Sequence, residues 1–385
     1  MTKFVPCMRI IMLILGLFLF IGLIHGSAQN EYQFEEIKRL PVTSVKDQGE
    51  TGTCWTFSTL SLIESELLRK GEEPYNLSEM FIARQSYLDR AELFVRFHGH
   101  LNFGPGAQAW DVMNVLKEYG IVPQKVYPGL KVNNEIHNHS EMDRVLNGYM
   151  ESVIQNDGEP LSSVWQKGLD GILSAYLGEY PASFTFKGEK YTPASFLKEL
   201  GIHPENYIPL TSFKSHDYYT SYVFESPDNW SMESIYNVPL DKFIDVINQA
   251  IMAGYTVAWA ADVTNPGFSH ANGLAVVPKR HWDSMESAER QKVFQAPVEQ
   301  KDITEEMRLK EFNSQGTTDD HLMHIVGKAR DQKGNDYFIV KNSWGTANPY
   351  DGYLYVSEAY VKYRTTSIML NKSALSAELK NKLKL

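Results

Sequence analysis

The stretch "DQGETGTCWTFS", Asp47 to Ser58, decides the fold of this 385-residue chain, and it contains Cys54. The apolar side chains that follow recur at helical spacing, at Phe57, Leu60, Ile63 and Leu67. Gly71 comes next and is of the residue type that commonly ends helices. The pattern predicts a helix that begins at Cys54 and is preceded by a flexible, glycine-containing loop.

Cys54 is the only cysteine beyond the first 28 residues. A helix N-terminus stabilises a thiolate through its dipole and its unpaired N–H groups, so this position suits a nucleophile. The alternative is a buried, unreactive cysteine, which is the usual state of a free one. A nucleophilic cysteine needs an imidazole nearby, so the histidines decide between the two interpretations.

Residues 1–28 have the layout of a secretory signal peptide. A basic start is followed by the apolar run Ile10–Ile24, and the small residues Gly26 and Ala28 precede a predicted cut before Gln29. A retained anchor is the alternative, although the run is shorter than the roughly 20 residues that span a bilayer. We predict export, to the periplasm or the exterior.

The composition is that of a globular protein with an acidic surface. Apolar residues make up 43% of the chain, enough to fill a core, and the formal net charge is −10. Removal of the signal peptide takes away two basic residues and leaves −12. An acidic chain without a basic patch argues against nucleic acid or an anionic membrane surface as a partner.

Helical patterns dominate the first part of the chain and strand-like patterns the last part, which predicts an α+β fold with segregated layers. The predicted segments are the signal peptide at 1–28, a helical half carrying the nucleophile at 29–130, an inserted region or subdomain at 131–250, a β half carrying the histidine and asparagine at 251–370, and a C-terminal helix or tail at 371–385.

Two H-x-H pairs have loosely metal-like spacing. They are His98 with His100 and His137 with His139. Neither has a cysteine or carboxylate at ligand distance in the sequence, so we interpret both as surface loops and predict no metal and no organic cofactor.

The remaining contenders for a catalytic imidazole are His270, His321 and His324. The segment "HLMHIVGKARDQKGNDYFIVKNSWG", which starts at His321, is typical of a β-hairpin. A turn centred on residues 332 and 333 places His321 on the same face as Asn342 and turns His324 to the opposite face. The inferred register therefore selects His321.

Cys54, His321, Asn342 and Gln48 together form a predicted catalytic constellation. An amide oxygen on Asn342 would fix the tautomer of His321, and Trp344 would shield that hydrogen bond from water. Gln48 supplies a side-chain NH2 beside the backbone N–H of Cys54, which is what an oxyanion hole requires. A capping glutamine and a turn asparagine are the alternatives, and each would be preferred if it stood alone.

Three blocks, "DQGETGTCWTFS", "DHLMHIVG" and "KNSWG", resemble the signatures of papain-like cysteine peptidases. The resemblance implies that Cys54 is the nucleophile, His321 the general base and acid, Asn342 the orienting residue and Gln48 the oxyanion donor. It implies a helical left domain and a β-barrel-like right domain with the active-site cleft between them.

The segment "GPGAQAWDVMNVLKEYGIVP" also resembles the glycine turn and helix of the papain-like family. The resemblance implies that Gly106 pairs with an extended substrate backbone, and we count Gly106 and Trp344 as substrate-binding residues.

Within the superfamily, "NLSEMFIARQSYLDR" and "VAWAADV" resemble the bleomycin hydrolase and aminopeptidase C branch. Members of that branch are usually cytosolic, and a C-terminal arm binds the free amino group of the substrate. This chain carries a leader and stops at "SALSAELKNKLKL". We therefore expect a cleft that stays open on the side N-terminal to the cut.

The sequence predicts a cysteine peptidase that hydrolyses peptide substrates through a thioester acyl-enzyme. An aminopeptidase of bleomycin hydrolase type is the first hypothesis, and an endopeptidase with an open cleft is the second. A catalytically idle binding module and a transglutaminase-like acyltransferase are less favoured, because all four constellation residues are present. The oligomeric state is left open.

Overall fold

A computed structural model describes residues 31–130, 136–155 and 159–385, and the predicted signal peptide lies outside the described residues. The helices are α1 (Cys54–Arg69), α2 (Glu79–Arg96), α3 (Ala109–Tyr119), α4 (Ser140–Ile154), α5 (Val164–Leu177), α6 (Pro193–Glu199), α7 (Leu240–Met252), α8 (Ser287–Lys292), α9 (Glu305–Asn313), α10 (Glu358–Arg364) and α11 (Ala377–Leu383). No helix within these ranges is both long and apolar enough to cross a bilayer.

Most strands join one large sheet. The strands are β1 (Phe34–Arg39), β2 (Phe184–Phe186), β3 (Glu189–Tyr191), β4 (Tyr207–Thr211), β5 (Ser221–Val223), β6 (Ser234–Asn237), β7 (Val257–Ala261), β8 (Phe268–Ser269), β9 (Leu274–Ala275), β10 (His321–Asp331), β11 (Asp336–Lys341), β12 (Tyr353–Ser357) and β13 (Thr365–Asn371). The sheet order is β5-β6-β4-β13-β7-β10-β11-β12-β9-β8, β1 pairs with β10, and β2 and β3 form a separate hairpin.

Helix α1 begins at Cys54, as the sequence predicts, and it is the central helix of the molecule. Its side chains are buried from Cys54 to Leu67, on every face of the helix. A helix that is buried all round has to be enclosed by other elements. Here α2 and α3 lie against it on one side and β10 on the other. The nucleophile candidate therefore sits where the helical layer meets the sheet.

Two further helices of the first half, α2 and α3, have local signals at their ends. Ser78 caps α2 by accepting a hydrogen bond from the backbone of Phe81. Gly120, at φ 87°, ends α3 in a conformation that glycine adopts without strain. These local signals fix the start of α2 and the end of α3.

Hydrophobic clusters pack on both faces of the sheet, and β7 contributes side chains to both clusters. Ala258 and Ala260 face the helical layer together with Leu322. Trp259 faces the opposite cluster, which packs under α7, α10 and α11 and includes Met323. Successive side chains of a strand point to opposite faces, so β7 and β10 join the two clusters.

The hairpin of β10 and β11 has the predicted register at its site-facing end, where His324 pairs with Lys341. A β-bulge between Ile325 and Gly327 then shifts the pairing by one residue. The backbone N–H of Gly334 donates to the carbonyl of Asp331, which closes the turn, and Gly334 at φ 86° adds one residue to the loop before Asn335 pairs with Asp331. The predicted β-turn with Gln332 and Lys333 at its centre is therefore confirmed, and the bulge restores the predicted pairing at the site.

The boundary predicted at residues 250 and 251 does not coincide with a boundary in the sheet. Strands β4, β5 and β6 precede it, yet β4 pairs with β13 and so belongs to the same sheet as β10. Helix α7 packs on this sheet as well. The N-terminal segment also contributes, because β1 pairs with β10. Composition alone does not reveal these pairings, since they join segments far apart in sequence.

Candidate active site

Cys54 is the first residue of α1, with 8% of its surface exposed. Its Sγ lies 3.5 Å from the backbone nitrogen of Leu322, next to His321 in the chain. The N-cap residue Thr53 makes no side-chain cap, and the first turn carries no acidic residue. No carboxylate of the first turn therefore weakens the effect of the N-terminal N–H groups of α1 on the sulfur.

His321 is buried at the start of β10, and its Nε2 lies 2.7 Å from Oδ1 of Asn342. The same Oδ1 accepts a hydrogen bond from the backbone N–H of Ser343 at 2.8 Å. An oxygen that accepts from two sides fixes the tautomer: Nε2 of His321 carries the proton and Nδ1 is the free base. The sequence prediction that His321 and Asn342 meet is confirmed in this geometry.

His270 is a site residue that the sequence reasoning discarded. Its Nδ1 lies 3.2 Å from Nδ2 of Asn342, on the amide end that faces away from His321. The amide nitrogen donates, so Nδ1 of His270 is the acceptor. His270 lies between β8 and β9, more than 70 positions away from Asn342, and no local motif marks the contact.

Trp344 covers the imidazoles. Its ring centroid lies 4.5 Å from that of His321 at an interplanar angle of 30° and 5.1 Å from that of His270 at 72°. The indole thereby keeps water away from the hydrogen bonds of Asn342, as the sequence predicts. Trp344 also lines the cleft.

Gln48 is held from two directions. Its Oε1 accepts a hydrogen bond from Oγ of Ser343 at 2.6 Å, and its Nε2 donates to the carbonyl of Thr51 at 2.8 Å. An amide nitrogen has two N–H groups, so one remains for the cleft that Gln48 lines with Cys54. This is the placement expected of an oxyanion donor.

A cleft of about 620 Å³ contains these groups. Gly106 lies on its wall beside Pro105, whose carbonyl accepts a hydrogen bond from Nε1 of Trp55 at 3.0 Å. Trp55 follows Cys54 in α1, so this bond ties the glycine turn to the helix end that carries the thiol. The predicted substrate-binding glycine and the nucleophile candidate share one cavity.

Burial dominates the electrostatics of the pair. It raises the pKa of the Cys54 thiol to about 12 and lowers the pKa of His321 to about 4. A lone charge on either side chain is unfavourable here, whereas a thiolate and an imidazolium stabilise each other. Near neutral pH both side chains are therefore uncharged in the resting site.

His324 lies behind the site and is not part of it. Its Nδ1 is 2.9 Å from Oγ of Ser61, which in turn accepts a hydrogen bond from Nζ of Lys341 at 2.8 Å. Burial, together with the charge of Lys341, holds the pKa of His324 well below its usual range. The prediction that His324 faces away from Asn342 is confirmed.

The H-x-H pairs differ from each other. His98 and His100 are exposed, as predicted, but His137 and His139 are buried, so the prediction of a surface loop is wrong for the second pair. The carbonyl of His137 accepts the backbone N–H of Glu50, which packs this segment against the loop before Cys54. Among the described residues, no three His, Cys, Asp or Glu side chains are grouped as a metal centre requires.

The fold and the site define a class, the papain-like cysteine peptidases. A thiol at a helix N-terminus, a histidine oriented by an asparagine and a glutamine amide meet between a helical layer and a sheet. Residues 103–385 match the Peptidase C1-like family, and residues 30–159 match the papain family of cysteine proteases. The chain belongs to the Peptidase C1-like family.

The relatives confirm the predicted branch. Aminopeptidase C of Lactococcus lactis subsp. lactis is 24% identical, over 92% of this chain and 85% of that protein. Bleomycin hydrolase of Rattus norvegicus is 22% identical, over 91% of this chain and 85% of that protein. The crystal structure of PepW from Lactobacillus rhamnosis has a TM-score of 0.73 and 17% identity, and it covers 100% of this chain and 96% of that one. This last likeness confirms the papain-like fold.

Proposed function

We propose that this protein is a cysteine aminopeptidase of bleomycin hydrolase type, which removes residues from the free N-terminus of peptides. The observation that carries the proposal is the 2.7 Å contact of His321 with Asn342, in the cleft that also contains Cys54. The family supplies the peptidase class. The names of the relatives, Aminopeptidase C and Bleomycin hydrolase, support the exopeptidase assignment.

In the acylation step, Sγ of Cys54 attacks the scissile carbonyl carbon while its proton moves to Nδ1 of His321. The carbonyl oxygen becomes an oxyanion that accepts hydrogen bonds from Nε2 of Gln48 and from the backbone N–H of Cys54. His321 then gives the proton to the leaving amine, the C–N bond breaks and a thioester remains on Cys54.

Deacylation uses the same groups. His321 takes a proton from water, and the resulting hydroxide attacks the thioester carbonyl. The oxyanion again forms against Gln48 and the N-terminus of α1. Collapse of the tetrahedral species breaks the C–S bond, returns the proton to Cys54 and releases the carboxylic acid product. Asn342 keeps Nε2 of His321 protonated throughout, so that Nδ1 remains the shuttling atom.

The test compares two peptide substrates that differ only in whether the α-amino group is free or acetylated, under reducing conditions. We expect the wild-type protein to cleave the free-amine substrate, and Cys54→Ala and His321→Ala to be inactive. His203→Ala removes an exposed imidazole and serves as the matched control. Efficient internal cleavage of the acetylated peptide would support the endopeptidase hypothesis, and no Cys54-dependent turnover would support the idle binding module.

We also propose that the protein is exported and acts on peptide substrates outside the cytoplasm. The support is the composition of residues 1–28, a basic start followed by an apolar run and small residues. N-terminal sequencing of the protein purified from its native cells tests this proposal. We expect Gln29 as the first residue, and a first residue within 1–28 would contradict the cut.

A further inference from the structure

The loop between β5 and β6 forms one wall of the cleft, and Asn229 holds it in place. Asn229 is almost fully buried and accepts a hydrogen bond from Nε1 of Trp110 in α3 at 3.0 Å. Its Nδ2 donates to the carbonyls of Phe224 and Glu233 at 2.8 and 2.9 Å. These bonds close the loop on itself and fix the position of the neighbouring Asp228.

Asp228 presents its carboxylate to the cleft beside Gly106. Its Oδ1 accepts a hydrogen bond from Nδ2 of Asn102 at 3.0 Å. A Cβ atom built on Gly106 would lie 2.2 Å from Oδ2 of Asp228, so only glycine leaves room for the carboxylate. Asp228 and Cys54 line the same cavity, and the charge of Asp228 contributes to raising the pKa of the thiol.

Oδ2 of Asp228 is turned to the glycine wall. Both oxygens of Asp320 accept hydrogen bonds, from the backbone of Val263 and the hydroxyl of Thr318. Asp319 anchors the loop, because its Oδ2 accepts from Oγ of Ser226. Within the described residues, no hydrogen-bond donor reaches Oδ2 of Asp228, and no cationic side chain lies within ion-pair distance of it.

A carboxylate at this position meets the N-terminal end of a substrate. The α-nitrogen of a peptide lies only two covalent bonds from the carbonyl carbon of its first residue, the atom that Cys54 attacks. The Asp228 carboxylate occupies the space beside the Gly106 Cα, so a substrate that continued past its first residue along Gly106 would have to pass it. A substrate with a free α-ammonium group ends before the carboxylate. That group supplies the positive charge and the hydrogen-bond donors that Oδ2 of Asp228 lacks.

We propose that Asp228 binds the free α-ammonium group of the substrate and makes the cleft specific for peptides with an unblocked N-terminus. This inference rests on the proposed aminopeptidase function and names the residue that recognises the substrate's end. An acyl group in place of the ammonium leaves the carboxylate partly buried and unpaired, which disfavours blocked peptides.

The experiment presents three compounds to the protein. They are alanine 4-methylcoumaryl-7-amide, its N-acetyl derivative and the corresponding propionyl amide, which lacks only the amino group. The variants are Asp228→Asn and the matched control Glu225→Gln, which removes one charge from the exposed part of the same loop. Stoichiometric alkylation of Cys54 by iodoacetamide shows that each variant keeps an intact site.

We expect Asp228→Asn to lower kcat/KM for the free-amine substrate by about 10- to 100-fold, the loss of one charge-assisted hydrogen bond. Turnover of the propionyl amide is expected to stay the same, and Glu225→Gln to match the wild type on all substrates.

An unchanged ratio of free-amine to propionyl turnover in Asp228→Asn overturns the inference and leaves the aminopeptidase proposal standing. An equal loss on both substrates, with Cys54 still alkylated, also overturns it, because the role of Asp228 would then be structural. If the wild-type protein itself cleaves the acetylated substrate as well as the free amine, the proposed function fails and the inference with it.

Discussion

His270 accepts a hydrogen bond from the side-chain amide of Asn342, with 3.2 Å between Nδ1 and Nδ2. The other end of that amide holds His321 at 2.7 Å. Rotation of the amide by half a turn would break both contacts, so His270, together with the backbone N–H of Ser343, determines which end of Asn342 faces the catalytic imidazole. His270 is therefore a positioning residue of the site.

Substitution of His270 tests this role. We expect His270→Ala to lower kcat by about 5- to 10-fold with little change in KM, because one hydrogen bond that orients Asn342 is lost. His270→Gln keeps an acceptor and is expected to restore part of the rate. Steady-state kinetics on a free-amine substrate measure both, and a change confined to KM would contradict the positioning role.

The oxyanion donor gives a second prediction. Gln48→Ala is expected to lower kcat by about 100- to 1000-fold, since a preorganised donor acts mainly on the transition state. Ser343→Ala removes only the hydroxyl that orients Oε1 of Gln48, and a loss of about 10-fold is expected. Equal effects of the two variants on kcat would show that Gln48 does not itself contact the oxyanion.

We expect His321 to accept the proton of the Cys54 thiol, and the pH dependence of thiol reactivity tests this exchange. The pKa of His321 is lowered to about 4, so the imidazole stays neutral and able to take the thiol proton down to that pH. Alkylation of Cys54 by the neutral reagent iodoacetamide is therefore expected to persist from pH 7 to about pH 4.5.

In His321→Ala the thiol keeps its raised pKa without a proton acceptor, and the alkylation rate at pH 7 is expected to fall by at least about 100-fold. Stopped-time alkylation followed by mass spectrometry measures the rates. A wild-type rate that drops with a midpoint near pH 8 would contradict the coupled pair.

Recognition of the α-ammonium by Asp228 predicts a pH window for KM. Burial first, and the charge of Asp319 second, raise the pKa of Asp228 to about 6. The other charged or polar groups that act on it are Asp320, Arg90 and Asn102. The carboxylate is lost as pH falls through 6, so KM for a free-amine substrate is expected to rise below that pH.

Above about pH 8 the substrate amine loses its proton and KM is expected to rise again. The propionyl amide has no such group, so its KM is expected to stay flat across both limbs. Initial rates between pH 5 and 9 measure the profiles, and identical profiles for the two substrates would contradict the assignment.

The free energy of unfolding at low pH gives a prediction that does not involve the cleft. The pKa of His324 in the folded protein lies well below that of the unfolded chain, so the unfolded state binds the extra proton. Stability from a neutral His324 is present above pH 6.5 and is lost as pH falls below it, by up to about 1.4 kcal/mol per pH unit.

His324→Gln keeps an acceptor for Ser61 but does not titrate. Buried carboxyl groups such as Asp111, whose pKa is raised to about 7, act in the opposite direction but are common to both proteins. Urea unfolding at pH 7, 6 and 5 is expected to show a shallower loss of stability in the variant. Parallel curves would contradict the assignment of His324.

Much of the site was predictable because it is encoded locally. The start of α1 at Cys54 follows from apolar periodicity and a terminal glycine. The pairing of His321 with Asn342 follows from the alternation of side chains in a single hairpin. The bulge after Ile325 was not predictable, since it compensates for a turn whose conformation depends on Gly334.

The remaining site residues have no local signal. His270 and Asp228 lie in loops without a motif, and they reach the cleft only because β8–β9 and β5–β6 join the sheet that carries His321. The sequence predicts a cleft that is open on the side N-terminal to the cut, and it gives no sign that the Asp228 carboxylate lies beside Gly106. Long-range strand pairing decides which loops line a cleft.

The sequence by itself determined the chemistry of this protein: a thiol at a helix end, an oriented imidazole and an amide donor. Local spacing fixes Gln48 relative to Cys54 and His321 relative to Asn342, whereas the packing of α1 on β10 brings these two pairs together. The tertiary structure alone decided what surrounds that chemistry, from the second imidazole on Asn342 to the carboxylate beside Gly106. Those neighbours come from distant segments, and burial of the shared core brings the segments together.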